Sequence, residues 1–128
     1  MKKILFHSIL LMLSISSIFS QSITVTSPNG SESWTGCSQH NITWSASGTS
    51  NYYSIDYSTD NGSSWTSVTS FYNTVTGTYL WTVPNVSSAI CKIKITDSNN
   101  SGIFDMSDNV FTINAALIVN SPDGGENW

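Results

Sequence analysis

An all-β sandwich is the fold this sequence predicts, and three observations predict it. Apolar and polar residues alternate in short runs, among them Ile23/Val25, Ile42/Trp44, Tyr53/Ile55/Tyr57 and Cys91/Ile93/Ile95, which is the period of a half-buried strand. The runs are divided by Gly, Pro, Asn, Asp and Ser, the residues that turns require. Composition agrees, because 25 Ser, 14 Thr and 12 Asn among 128 residues, with only 9% charged, favour strands and polar turns over helices.

In order, a first strand carries Ile23 and Val25 on one face, and Ser27-Pro28-Asn29-Gly30 supplies a turn in which Pro fixes φ and Gly accepts positive φ. Trp34 follows. A second strand, about Gln39 to Ser45, points Ile42 and Trp44 inward and Asn41, Thr43 and Ser45 outward. A third buries Tyr53, Ile55 and Tyr57, with Ser54, Asp56 and Ser58 on the other face. Asp60-Asn61-Gly62 then marks a hairpin, since an Asn-Gly pair suits two positive φ angles, and a fourth strand runs from about Trp65 to Ser70. Tyr79, Trp81 and Val83 alternate in a fifth that Pro84 ends by removing a ladder donor. Cys91, Ile93 and Ile95 form the inward face of a sixth, opposite Lys92, Lys94 and Thr96, and the seventh is about Asn109 to Ile113. Seven strands in about 90 residues is the size and rhythm of an immunoglobulin- or fibronectin-type antiparallel sandwich. Trp34, Trp44, Trp65 and Trp81 all fall on inward phases and are expected in its core.

Flanking segments set the context. Residues 1–20 join Lys2 and Lys3 to an apolar run from Ile4 to Leu13 and end in Ile18-Phe19-Ser20, the layout of a secretory signal peptide. The expected location is therefore secreted or cell-surface. The apolar run is shorter than the roughly 20 residues a membrane span needs, and no later segment approaches that length, so no span is expected in the mature chain. Without Lys2 and Lys3 the formal charge goes from −4 to −6, leaving Lys92 and Lys94 as the cations. Nucleic acid, which needs clustered Lys or Arg, is excluded as a partner. In an oxidising compartment, Cys37 and Cys91 are expected to form one disulfide, contributing about 4 kcal/mol in the chain-entropy model. As zinc ligands, Cys37, His40 and Cys91 lack a fourth member, and neither a metal nor another cofactor is expected.

The chain also repeats. Val25-Thr-Ser-Pro-Asn-Gly-Ser-Glu-Ser-Trp34 returns as Val119-Asn-Ser-Pro-Asp-Gly-Gly-Glu-Asn-Trp128, a period of 94 residues that fits a whole sandwich module rather than a short solenoid unit. Residues 22–114 are read as one module and 115–128 as a linker with the start of a second copy. Ile23-Thr-Val-Thr-Ser-Pro-Asn-Gly30 with Glu32-Ser-Trp34, Ile42-Thr-Trp44, Ser58-Thr-Asp60-Asn-Gly62, Tyr79-Leu-Trp81-Thr-Val-Pro84, and Ser107-Asp108 before Phe111-Thr-Ile113 resemble a repeated bacterial module. That module is similar to the Ser-Thr-rich GPI-anchored membrane family, the N-terminal domain of fungal cell-wall β-glucan-assembly proteins. The resemblance implies a non-catalytic sandwich strung along secreted or surface proteins, and it carries no catalytic residue. Ser31 replaces the second Gly of the Pro-x-Gly-Gly turn that Gly125 keeps in the second copy. Ser58, Asp60, Gly62 and Trp65 also resemble an Asp-box hairpin, where Asp accepts turn N–H groups and Trp packs beneath. A propeller would repeat that box at roughly 40 to 60 residues, and here it occurs once.

No arrangement for catalysis emerges. His40 has no nucleophile partner, and of the carboxylates nearest each other, Asp56 lies outward on a strand while Asp60 belongs to its turn. Asp97, Asn99, Ser101, Asp105 and Asp108, with Gly102 at position six, match the spacing of a calcium loop, although strands flank it and Asp stands where a bidentate Glu is usual. Tyr52, Phe71, Tyr72 and Phe104 are the aromatics expected at the surface and available to stack on a polysaccharide. The function expected is a structural or adhesive spacer of a secreted or surface protein, with cell-wall or extracellular polysaccharide or neighbouring modules as partners. The alternative is an accessory carbohydrate-binding module of a secreted hydrolase, and a third is a fragment of an Asp-box propeller enzyme.

Overall fold

The computed structural model describes residues 20–118. The expected signal peptide, apart from Ser20, and residues 119–128 of the second copy lie outside the described residues. Nine strands are present among those described: β1 (Ser22–Ser27), β2 (Ser33–Thr35), β3 (Gln39–Ser47), β4 (Tyr52–Ser58), β5 (Thr66–Asn73), β6 (Thr78–Thr82), β7 (Ser88–Asp97), β8 (Asn100–Met106) and β9 (Phe111–Asn114), with no helix. They form a three-stranded sheet β1-β3-β6 and a six-stranded sheet β2-β9-β7-β4-β5, with β8 also paired to β7. All neighbours are antiparallel except β2 and β9, which run parallel.

Strand alternation produces the core. Ile23, Val25, Ile42, Trp44 and Trp81 of the smaller sheet meet Tyr53, Ile55, Cys91, Ile93, Ile95, Phe111 and Ile113 of the larger one, all buried. Each such large apolar side chain contributes about 1.5–3 kcal/mol by leaving water. Trp34 of β2 lies in the same cluster, tilted against Phe111 and edge-on to Trp81.

Two strands were not expected from the sequence, and both are short of an inward apolar pattern. β2 has three residues, too few for a period to show. In β8 the large apolar side chains Phe104 and Met106 point outward, while Ile103 and Asp105 take the inward phase. Asp105 is used there: its carboxylate accepts the Val25 N–H at 2.8 Å, closing a donor on the edge strand β1 where the register to β3 shifts.

The expected disulfide is absent. Cys91 is buried on the inward face of β7 and Cys37 is exposed in the turn between β2 and β3, with φ of 64°, and both thiols are free. Strand phase dictates one location and turn geometry the other, so the two side chains do not meet. Trp65 is also corrected: it sits half-buried on the outer side of the larger sheet, with Lys94 Nζ 4.5 Å from its ring centroid.

The residues of the repeated stretch assemble into one corner. Asn29 and Gly30 donate their N–H groups to the Glu32 carboxylate at 2.9 and 2.7 Å. The buried Ser107 hydroxyl donates to the Pro28 carbonyl at 2.7 Å and accepts the Ile93 N–H at 3.0 Å. Asn29 and Asp108 exchange two further hydrogen bonds, Asp108 N–H to Asn29 Oδ1 and Asn29 Nδ2 to Asp108 Oδ2. Motifs 79 residues apart in sequence thus close a single turn, which fixes how β1 leaves one sheet and β2 enters the other.

Candidate functional site

The outer face of the six-stranded sheet carries a cluster of exposed and half-buried aromatic side chains. Register sets their rows: Met106 lies beside Lys94, Lys94 beside Asp56 and Asp56 beside Ser67, while Phe104 lies beside Thr96 and Thr96 beside Ser54. Trp65, Lys94, Thr96, Ser101, Phe104 and Met106 line a shallow open cleft of about 380 Å³. Phe104 is 50% exposed, and Lys94 is paired with Asp56 at 3.8 Å, so the cleft combines apolar surface with a locally balanced charge.

Three of the four expected surface aromatics lie on this face and one does not. Tyr52 and Phe71 stack with centroids 4.5 Å apart, and Phe71 is 59% exposed. Tyr72 takes the inward phase instead, edge-on to Tyr79 at 4.9 Å and packed against the core. Of the cleft residues, Lys94 and Thr96 lie outward as alternation predicts, whereas strand phase alone assigns Trp65 to the core and a loop reading of β8 hides Met106. The signal was present in the alternation Phe104/Met106 against Ile103/Asp105.

The Ser58–Trp65 hairpin is built as its spacing implies. The buried Ser58 hydroxyl donates to Asp60 at 2.7 Å and accepts the N–H groups of Asp60 and Gly62 at 3.2 and 2.8 Å. Asp60 in turn accepts the N–H and hydroxyl of Ser64 at 2.8 and 2.6 Å. Those bonds, led by the Ser64 and Ser58 hydroxyls, hold its carboxyl down to about 2. Asn61 and Gly62 both have positive φ, and a Cβ on Gly62 would come within 3.3 Å of the Trp65 ring. The Asp60 carboxylate is thereby committed to its turn.

The residues spaced like a calcium loop do not converge, because the stretch is a β-hairpin that disperses them. Asp97 is buried and accepts the Ser50 hydroxyl, the Ser50 N–H at 2.8 Å and the Asn99 N–H at 2.9 Å. Burial pushes its carboxyl up, but these hydrogen bonds outweigh burial and leave it below the usual range. Asp105 caps Val25, Asp108 pairs with Asn29, and Asn99 and Ser101 are exposed on the hairpin. No group of three or more His, Cys, Asp or Glu able to hold a metal ion occurs among the described residues. His40 stacks flat on Trp34, with centroids 4.4 Å apart and planes 3° from parallel. No helix among the described residues is long and apolar enough to cross a membrane.

A comparison with protein-family models, with curated proteins and with solved structures finds no match for this chain.

Proposed function

We propose that this chain is a non-catalytic extracellular β-sandwich repeat of immunoglobulin type, serving a secreted or cell-surface protein as a structural or adhesive spacer. One observation carries the reading. Six positions are identical in the two copies of the repeated stretch, Val25, Ser27, Pro28, Gly30, Glu32 and Trp34, and they belong to the corner and the core. Val25 and Pro28 are fully buried, Trp34 packs on Phe111, and Glu32 closes the turn. What the repeat retains is architecture. The described carboxylates point the same way, since Glu32, Asp60, Asp97, Asp105 and Asp108 are committed to hydrogen bonds within the fold and Asp56 to Lys94.

The immunoglobulin type is supported by the strand order and by the short β2 running parallel to the last strand β9. Secretion is supported by the charge and apolar layout of residues 1–20. The resemblance to the Ser-Thr-rich GPI-anchored membrane family fits the same setting.

A second reading, an accessory carbohydrate-binding module, is favoured by the Tyr52–Phe71 stack and the Phe104 cleft on one sheet face. Affinity electrophoresis in gels containing a soluble β-glucan or xylan separates the two. A spacer migrates as it does in an empty gel. Retardation that disappears in Phe104→Ala and Trp65→Ala would replace the spacer with the carbohydrate-binding module.

A further inference from the structure

The repeat places Ala116, Leu117 and Ile118 at the positions of Ser22, Ile23 and Thr24, the start of β1. Because β9 ends at Asn114, one residue, Ala115, separates the last strand of this module from the position where the first strand of the pattern begins again. Leu117 is 91% exposed, whereas Ile23, its equivalent, is 7% exposed in the core. An apolar side chain that the pattern assigns to a core is thus left in water, and a second copy of the sandwich is the surface that would cover it.

The chain leading to Leu117 is nevertheless held. Ala116 donates its N–H to Asn85 Oδ1 at 2.7 Å, and Asn85 Nδ2 donates to the Ala116 carbonyl at 3.4 Å. One side-chain amide therefore gives Ala116 both bonds that a neighbouring strand would supply. Asn85 is itself fitted into place: a Cβ on Gly36 would come within 2.6 Å of its Oδ1, so the close approach requires glycine there. Gly36 N–H also donates to the Asn114 carbonyl at 2.8 Å, and Asn114 Nδ2 donates to Ser33 Oγ at 2.8 Å. Four backbone segments, from β2, the turn after it, the β6–β7 loop and the exit of β9, meet at this end of the sandwich.

We propose that Asn85 is a junction lock, which takes the two Ala116 backbone groups that Ser22 directs to Ser47 in this copy and so fixes the exit of this module, with a second copy whose first strand pairs from Leu117 onward docking end to end in one orientation. The occupant is another copy of the same module in the same chain, and the inference rests on the repeat-module reading above. A single intervening residue spans at most about 3.5 Å, which brings the ends of the two sandwiches into contact. With Ala116 held at both its N–H and its carbonyl, the hinge dihedrals on either side of Ala115 lose most of their freedom.

Two measurements test the lock. In this chain, the ¹⁵N heteronuclear NOE of Ala116 should match that of β9 and should fall to the value of Ile118 in Asn85→Ala, with Asn85→Asp, which keeps an acceptor but loses the donor, falling between. Unchanged chemical shifts for Ile42 and Ile95 confirm that each variant is folded. An Ala116 as mobile as Ile118 with Asn85 intact would overturn the proposal. In a tandem chain of residues 20–115 followed by 22–114, which contains all nine strands twice, residual dipolar couplings should report one alignment tensor for both copies and two after Asn85→Ala in the first copy. Two tensors with Asn85 present would sink the lock and leave the spacer reading standing, whereas retention on polysaccharide would remove the spacer reading and leave the lock intact.

Discussion

Two aspartate-centred corners lie at opposite ends of β4, and they use the same chemistry to different effect. At one end Asp60 collects the N–H and hydroxyl of Ser64, four residues away. At the other Asp97, opposite Tyr53, collects the N–H and hydroxyl of Ser50, 47 residues away. Asp60 stays in contact with solvent, while Asp97 is 2% exposed. A local turn orders a loop that water would otherwise solvate, but a buried corner ties two strand connections together and has no water to replace a lost partner. Similar hydrogen bonds should therefore carry unequal stability.

The largest effect expected is that of Asp97→Ala. It removes a buried carboxylate and leaves the partly buried Ser50 N–H and hydroxyl without their acceptor, which should cost about 2–3 kcal/mol in urea unfolding, with Asp97→Asn recovering part by retaining one acceptor oxygen. A loss no greater than that of Asp60→Ala would break the comparison. Next comes Ser58→Ala, which removes the buried hydroxyl that accepts from Asp60 and Gly62 and should cost about 1–2 kcal/mol by the same measurement.

Acid sharpens the contrast. Both carboxyls are depressed in the folded protein, so each contributes stability that is present above the unfolded value of 3.8 and is lost as pH falls through the folded value, about 2 for Asp60. Urea midpoints should be level above about pH 5 and decline below about pH 4, more gently in Asp97→Asn than in the parent chain. In Ser64→Ala the NMR titration of Asp60 should move up toward 3.8, and an unmoved midpoint would show that Ser64 is not its main partner. The smallest effect expected is that of Lys94→Ala. This removes the cation over Trp65 beside the Asp60 turn and should change stability by about 0.5–1 kcal/mol.

The contrast between the corners is also a contrast in legibility. The turn made by Ser58, Asp60 and Gly62 was readable because its hydrogen-bond partners lie within six residues and the left-handed Asn61-Gly62 pair has few alternatives. For Asp97 the sequence offers only the spacing of a calcium loop and no sign of its corner, since its partner Ser50 is far away in sequence and a polar hairpin and a cation loop draw on the same residue types. Strand alternation was likewise sufficient for Ile42/Trp44, Tyr53/Ile55 and Ile93/Ile95, all of which are buried.

Alternation and turn chemistry determined that this chain forms strands joined by polar turns and, Trp65 apart, which large side chains enter the core, because those properties depend on neighbours a few residues apart. Tertiary structure alone decided that β8 joins β7, that Cys37 and Cys91 stay unbridged, that Trp65 lies outside with Lys94, and that Asn85 holds Ala116. Each of these is set by which sheet face a residue meets after the two sheets pack, and one change of strand phase or one bulge is enough to reverse it.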